Sequence, residues 1–474
     1  MKYNTGLVIV VLLVALPLFA HLDQLPINLY DEARLADNAI EMSRNHQWLV
    51  PTYLGQPEMW NTKPPLMIWF QVLSLKIIGT CELAIRIPSA LAALATLLIM
   101  YRFCAKRLKR PILGILCCTI MATSMGFVGE HMARTGDYDA LLTFFVTGYL
   151  LSYFVFIDED KREYLLYTLL LITGAVMTKG IAGLLPMPAL LVYMLYRKKF
   201  RSVFTTPTFY MGITFFIVIV TGYYLLREHY NPGYLKAVYN NELGGRYSEI
   251  NENHEAPWYF YLVNLAIDRF NFWWYLVPIG LVIGLYSEAK SIKNFCVFCL
   301  VVIVCYYAVL SSSATKLWWY DMPVYPWLAI GAALGIYLIC ELLFCQINKR
   351  LGATLITTVT LLIIIYPYNI VIRFALSPRM DYSGNSSMVR YVQEVSRHKR
   401  RMLGSAVPLI DQNVLWYMEA FHLDIESTPV AELKIGQKPM IYDDGNRQYL
   451  DQHFTYEILE QYEQMTVYKI TGTK

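Results

Sequence analysis

Two adjacent carboxylates, Asp31 and Glu32, stand where the first hydrophobic run of this chain ends. A lysine, Lys63, closes the same polar stretch, residues 30–65, just before a double proline and the next apolar run. A carboxylate can take a proton and an ammonium can hold an anion, so this is equipment for proton transfer beside an anion site. More such groups recur at the ends of later apolar runs: Arg86, His131, Arg134, Asp137, Asp139, Lys179, Arg246, His254, Lys316 and Asp321. Charges at that depth are costly unless they serve a cavity, a partner or an interface. Each also has a plainer reading. Asp31 and Asp139 can cap helices, with Glu32 favourable in a first turn, and Lys63 and Arg86 can snorkel to headgroups. His254 alone reads as a loop histidine. Capping does not require all of these groups on one face, so the functional reading rests on their convergence.

The elements that position them are hydrophobic. The 474 residues are 56% hydrophobic and 16% charged, against roughly a quarter charged in soluble proteins. Apolar runs near 18 residues recur through residues 6–373, the mark of a polytopic α-helical membrane protein. A net charge of +4 carried by loop residues does not suggest nucleic acid. The nine cysteines lie in or beside apolar runs, so no disulfide framework is expected. Cys296 and Cys299 have zinc-like spacing but no second pair, and read as packing residues. The first run, 6–20, lacks a small-residue cleavage site and reads as a retained helix rather than a signal peptide.

Basic clusters orient the spans. If 66–79 and 84–103 both crossed, Lys106, Arg107, Lys109 and Arg110 would lie outside, so 65–79 reads as an interfacial or re-entrant helix. Eleven crossings follow, at about 6–22, 84–103, 111–128, 140–157, 164–178, 181–196, 208–226, 271–286, 294–311, 322–345 and 351–373. This puts the four strongest basic clusters in the cytoplasm and the polar groups named above on the other side, with external loops at 23–64 and 227–270. The tail, 374–474, carries alternating patches at 440–442 and 464–470 and reads as a small extracytoplasmic α/β or α+β domain after a transmembrane domain of residues 1–373.

Several segments carry a resemblance. YDEAR with NTKPPL and LAIRIPSAL looks like the opening of GT-C class membrane glycosyltransferases, above all the lipid A aminoarabinose transferases and protein O-mannosyltransferases. ARTGDYDALLTFF resembles their second acidic motif, with Asp139 at the family position and Asp137 extra. MTKG at 177–180, HEAPWYFY at 254–261 and SSATKLWWYDMPVYP at 312–326 follow in family order, and the ordered set covers roughly residues 1–345. The resemblance implies an inverting transfer of sugar from a polyprenyl-phosphate donor to lipid A, another glycan or protein, at the periplasmic face of a bacterial inner membrane. It implies Asp31 as the catalytic carboxylate, beside Glu32 and Asp139, and Lys63 among the phosphate contacts. Arg86, Lys179, Arg246, His254, Lys316 and Tyr320 complete the candidate substrate contacts. No organic cofactor is implied, and a divalent metal is left open, because Thr62 stands where the family often has an acid beside that lysine. The physical reading runs parallel: cations stabilise the departing phosphate while a carboxylate accepts the acceptor's proton. The rival class is a transporter or flippase of lipid-linked sugars, which usually shows broken helices and internal pseudo-symmetry.

Reporter fusions are expected to place residues 108 and 199 in the cytoplasm and residue 420 outside. A cytoplasmic signal at 420 overturns the odd number of crossings and the shared face of the charges.

Overall fold

Helices that are apolar on every side cannot be soluble surface helices, and most of this chain consists of them. The computed structural model describes residues 3–244, 247, 254–270, 272–344, 349–377 and 387–474. Its longer helices, in chain order, are α1 (Tyr3–Phe19), α2 (Asp31–Asn45), α3 (Leu66–Ile78), α4 (Glu82–Lys106), α5 (Pro111–Ala122), α6 (Asp139–Glu159), α7 (Glu163–Lys179) and α8 (Met187–Tyr196). They continue with α9 (Pro207–Tyr230), α10 (Leu276–Leu285), α11 (Lys290–Ser312), α12 (Tyr325–Phe344), α13 (Lys349–Leu376), α14 (Ser387–Arg397), α15 (Gln412–Phe421) and α16 (Asp444–His453). The chain forms two compact units: Met1–Ala20, Pro57–Met67 and Arg86–Ser377 make one, and His21–Gln56, Ile68–Ile85 and Pro378–Lys474 the other.

In the first unit, six helical segments among the described residues are long and apolar enough to cross a membrane: α4, α6, Glu163–Leu184, α9, α11 and Met322–Leu342. Of the other five expected crossings, four fall on shorter apolar helices, α1, α5, α8 and α10, and the last falls on α13. Local chemistry explains several of the breaks. The run at 111–128 divides at Thr123–Ser124, whose hydroxyls donate back to the carbonyls of Thr119 and Ile120. The Trp273 indole then donates to Thr123 Oγ1 at 3.2 Å. The run at 181–196 opens as a 3-10 turn, Gly180–Leu184, and resumes as α8 after Pro186. Helix α9 is the least covered, with Met211, Ile217 and Val218 all more than half exposed, as suits a lipid-facing surface.

Small residues set the closest packing. A Cβ at Gly280 of α10 would collide with the carbonyl of Gly331 and the backbone of Gly335 on α12. Gly331 and Gly335 are spaced four apart, so their helix backbones approach without side chains between them. At one end of this unit, Arg134 donates to the carbonyls of Pro17 (3.0 Å), Ala20 (2.7 Å) and Ala375 (3.3 Å). One buried guanidinium thereby satisfies carbonyls at the C-terminal ends of α1 and α13.

In the second unit, α2 and α3 share one core with the tail. Ala33, Ala36 and Ile40 of α2, Ile68, Val72 and Leu75 of α3, and Val389, Val392, Trp416 and Tyr417 of the tail form one buried cluster. The α3 residues follow helical spacing, and the stripe Phe70, Leu73, Ile77 on its other face stays exposed. That is the surface an interfacial helix offers to lipid. Buried Glu82 is held by Gln393 (2.6 Å), Tyr417 (2.8 Å) and Arg397 (3.5 Å). The tail adds β1 (Ala406–Val407) parallel to β2 (Glu426–Ser427), and an antiparallel sheet of β3 (Met440–Ile441), β4 (Phe454–Tyr462) and β5 (Met465–Thr473) in the order β3-β5-β4.

Gly280→Ala is expected to cost about 1–3 kcal/mol through overpacking, read as a lower thermal unfolding temperature in detergent. Gly222→Ala on α9, where an added Cβ meets nothing within 4 Å, should leave that temperature unchanged or slightly higher.

Candidate active site

Helices α6 and α7 are joined by only three residues and run antiparallel, so the start of α6 lies beside the end of α7. Asp139 is the first residue of one and Lys179 the last of the other. Each sign of charge suits its helix terminus. The Lys179 ammonium donates to both Asp139 oxygens at 2.7 Å, with side-chain exposures of 8% and 3%. An ammonium has three N–H groups, so this leaves one to offer elsewhere. The Tyr320 ring lies 5.3 Å from the same nitrogen. Gly180, at φ +54°, makes the turn after Lys179, and a side chain there would meet Tyr224 and Pro64.

Pro64 belongs to the segment that delivers Lys63, and polar contacts fix that segment along its length. Glu58 accepts from the amides of Trp60 (2.8 Å) and Asn61 (3.1 Å), and its own carbonyl accepts from Arg227 (2.7 Å). The side chain of Asn61 bonds the Tyr138 hydroxyl at 2.9 Å. Tyr234 donates to the carbonyl of Thr62 (2.6 Å), and Asn241 to those of Met59 and Trp60 (3.1 Å each). The Lys63 ammonium then reaches Glu242 at 3.4 Å and lies 5.5 Å from the Tyr138 ring centre. The Thr62 hydroxyl points to the same Glu242 oxygen, also at 3.4 Å.

Lys63, Asp139, Lys179, Glu242 and Tyr320 line one cavity of about 300 Å³. The rest of its wall is mainly apolar: Leu142, Ile181, Ala182, Leu185, Val309 and Leu310. A main-chain seam closes one side. Glu255 bridges Thr315, the Lys316 amide donates to the His254 carbonyl at 3.0 Å, and the Ala314 amide donates to Tyr247 at 2.9 Å. Two ammonium groups, each paired with a carboxylate, therefore face one recess whose remaining wall is mainly apolar.

A second polar cluster lies in the same unit. His131 meets Asp137 at 3.3 Å and stacks on Trp319 at 3.9 Å, and Thr135 donates to Asp137 at 2.7 Å. Burial pushes the Asp137 carboxyl up, but His131 and the Thr135 hydroxyl outweigh it and hold it below its usual value. Burial pushes the Asp321 carboxyl up to about 7, only partly countered by the Tyr307 hydroxyl and the Arg269 cation.

The structure thus brings together Lys63, Asp139, Lys179 and Tyr320. Arg86 is buried within α4 and does not line the cavity. Lys316 turns its ammonium to the carbonyl of Ser313 at 2.5 Å. His254 contributes its main-chain carbonyl to the seam, and Arg246 lies outside the described residues. Asp31 and Glu32 belong to the other unit, where α2 starts at Asp31 itself. Neither candidate cap is an N-cap: Tyr30 and Tyr138 precede α2 and α6, without side-chain capping bonds. Buried Glu32 accepts instead from the Asn28 amide at 2.8 Å. Sequence reasoning missed Glu242, one of several acids in the polar segment 227–270 with no periodicity to single it out. Among the described residues no three His, Cys, Asp or Glu side chains group to hold a metal ion, and Thr62 offers no carboxylate. The described residues therefore do not fit a metal centre of the acid-plus-histidine kind.

Residues 62–224 match the family model described as dolichyl-phosphate-mannose-protein mannosyltransferase. An uncharacterised protein of Aquifex aeolicus is 26% identical over 64% of this chain and 58% of its own length. The undecaprenyl phosphate-alpha-4-amino-4-deoxy-L-arabinose arabinosyl transferase of Pseudomonas paraeruginosa is 26% identical over 50% of this chain and 43% of its own. These matches span about half the length of the curated relatives. The crystal structure of ArnT from Cupriavidus metallidurans bound to undecaprenyl phosphate superposes with a TM-score of 0.70 at 14% identity, covering 98% of this chain and 97% of that one. An Archaeoglobus fulgidus oligosaccharyltransferase in the apo form gives 0.58 at 11% identity, over 92% and 65%. The chain has the fold of ArnT, and it resembles the GT-C membrane glycosyltransferases as its motifs imply.

Asp139→Asn leaves the Lys179 ammonium buried without its counter-charge, at an expected cost of about 3–5 kcal/mol. Thermal unfolding should show that loss, and the pair Asp139→Leu with Lys179→Met should recover most of it.

Proposed function

We propose that this chain is an inverting glycosyltransferase of the bacterial inner membrane. It takes a sugar from a polyprenyl-phosphate donor and transfers it, at the periplasmic face, to lipid A, another glycan or protein. The observation that carries this reading is the convergence of Lys63 and Lys179, each paired with a carboxylate, in a cavity whose remaining wall is mainly apolar. A lipid-linked phosphate needs cations for its head and apolar walls for the first part of its isoprenoid tail. Relatives named as arabinosyl transferases from undecaprenyl phosphate support the donor class, as does a structural neighbour bound to undecaprenyl phosphate.

Negative charge grows on the phosphate as its bond to the sugar breaks, and Lys63 and the third N–H of Lys179 stabilise it there. Asp139 keeps Lys179 aimed, and with both oxygens engaged by that ammonium it serves as a positioning residue rather than a base. Asp31 is the proposed base, on the strength of its sequence motif. Tyr30 before it adopts φ 70° and ψ −113°, a conformation L-residues rarely hold, and such strain clusters at functional positions. The acceptor hydroxyl gives its proton to Asp31 as its oxygen bonds the sugar carbon, and the donor leaves as the polyprenyl phosphate.

Asp31→Asn is expected to lower turnover of the purified protein by roughly 10²–10⁴ with saturating lipid donor, while donor binding survives. Lys63→Ala should weaken donor use far more than Lys198→Ala. Near wild-type turnover in Asp31→Asn removes it as base, and equal effects of the two lysine variants remove Lys63 from the phosphate site. Mass spectrometry of lipid A and glycoproteins from cells with and without the gene identifies the acceptor.

A further inference from the structure

One feature that the transfer reaction leaves unused is a second cavity, of about 500 Å³, lined by α4, α6 and α7. Its polar part is cationic: Arg102 and Lys106 come from the last turns of α4, and Arg107 follows its last residue. Its apolar part is Ile99, Phe103, Phe144, Leu151, Val155 and Leu171. Asp139 and Lys179 mark one end of the α6–α7 hairpin, and Arg107 pairs with Glu159 at the other. Helix α6 has 21 residues, so the two ends lie roughly 30 Å apart, about one hydrocarbon thickness.

The three cations are not equally satisfied. Arg107 bonds Glu159 at 2.8 Å and also donates to the Tyr164 hydroxyl. Lys106 sits 4.4 Å from the centre of the Tyr3 ring. Arg102, one helical turn before Lys106 and on its face, makes no ion pair among the described residues. Like charges four apart repel, and no carboxylate lines the cavity to offset them. Gly148 and Ser152 keep the α6 wall open, since bulkier residues there would project into the space.

We propose that this cavity binds an anionic phospholipid of the leaflet opposite the transfer site. The headgroup phosphate sits between Arg102 and Lys106, and the upper acyl chain lies along Phe103, Phe144 and Leu171. A soluble anion would need the cations alone; the apolar wall continuous with them selects a lipid. The proposal depends on the membrane setting and not on the transfer reaction, so its test does not use sugar transfer.

The test is native mass spectrometry of the full chain released from micelles doped with equal amounts of phosphatidylglycerol and phosphatidylcholine of the same acyl chains. The wild type should retain phosphatidylglycerol preferentially. Arg102→Gln with Lys106→Gln should weaken that retention about 30-fold, from roughly five-fold per basic residue. Ser152→Phe, which fills the cavity without changing charge, should also reduce it, and Lys109→Gln, outside the cavity, should not. Equal retention of the two lipids overturns the proposal, as does unchanged retention in either cavity variant. An equal loss in Lys109→Gln points to diffuse surface charge and overturns it as well. Displacement of the bound lipid by millimolar inorganic phosphate assigns the cavity to a free anion and overturns it too.

Discussion

The paired charges of Asp139 and Lys179 impose the constraint on which this architecture rests. An ionised group inside a helical bundle is stable only with a counter-charge and satisfied hydrogen bonds, and the cheapest place for both is a helix terminus. An antiparallel hairpin of α6 and α7 supplies opposite termini side by side. The pair therefore fixes the end of the bundle where these two termini meet, and the loop carrying Lys63 is pinned to the same place by Tyr138, Tyr234 and Arg227. Arg134 solves the same problem elsewhere by satisfying the carbonyl ends of α1 and α13.

Much of this was legible in the sequence because rare residues in an apolar background are informative. Lys63, Asp139, Lys179 and Tyr320 were each singled out by a charge or motif at the edge of a hydrophobic run, and all four line the cavity. Arg86 and Lys316 carried the same signal and point elsewhere, since depth in a span does not say which way a side chain turns. Glu242 was invisible for the opposite reason. It belongs to a polar segment, where acids are ordinary, and only tertiary folding brings it within 3.4 Å of Lys63.

Helix existence was similarly easier to read than helix continuity. Hydropathy summed over 18 residues cannot see that Thr123 and Ser124 turn their hydroxyls back on the helix, or that Pro186 forces a restart. The alternating patches near 440 and 465 became β3 and β5, because period-two alternation is a local signal. That the first polar stretch shares a core with the tail depends on contacts between residues hundreds of positions apart, such as Arg44 with the Glu419 carbonyl. No local pattern encodes them.

The Lys63–Glu242 contact has a consequence in terms of electroneutrality. Lys63 and Lys179 balance Asp139 and Glu242, so the lining of the cavity carries no net formal charge. An incoming phosphate cannot simply add to this set without leaving an excess anion in a poorly solvated recess. On the proposed reading its arrival is an exchange, in which a carboxylate tethered to the chain gives up its lysine to a freely diffusing rival. A tethered group competes at an effective concentration in the millimolar range. On the proposed reading the cavity holds its lysine in reserve against weak or fleeting anions and releases it to one whose hydrophobic body adds what charge alone does not.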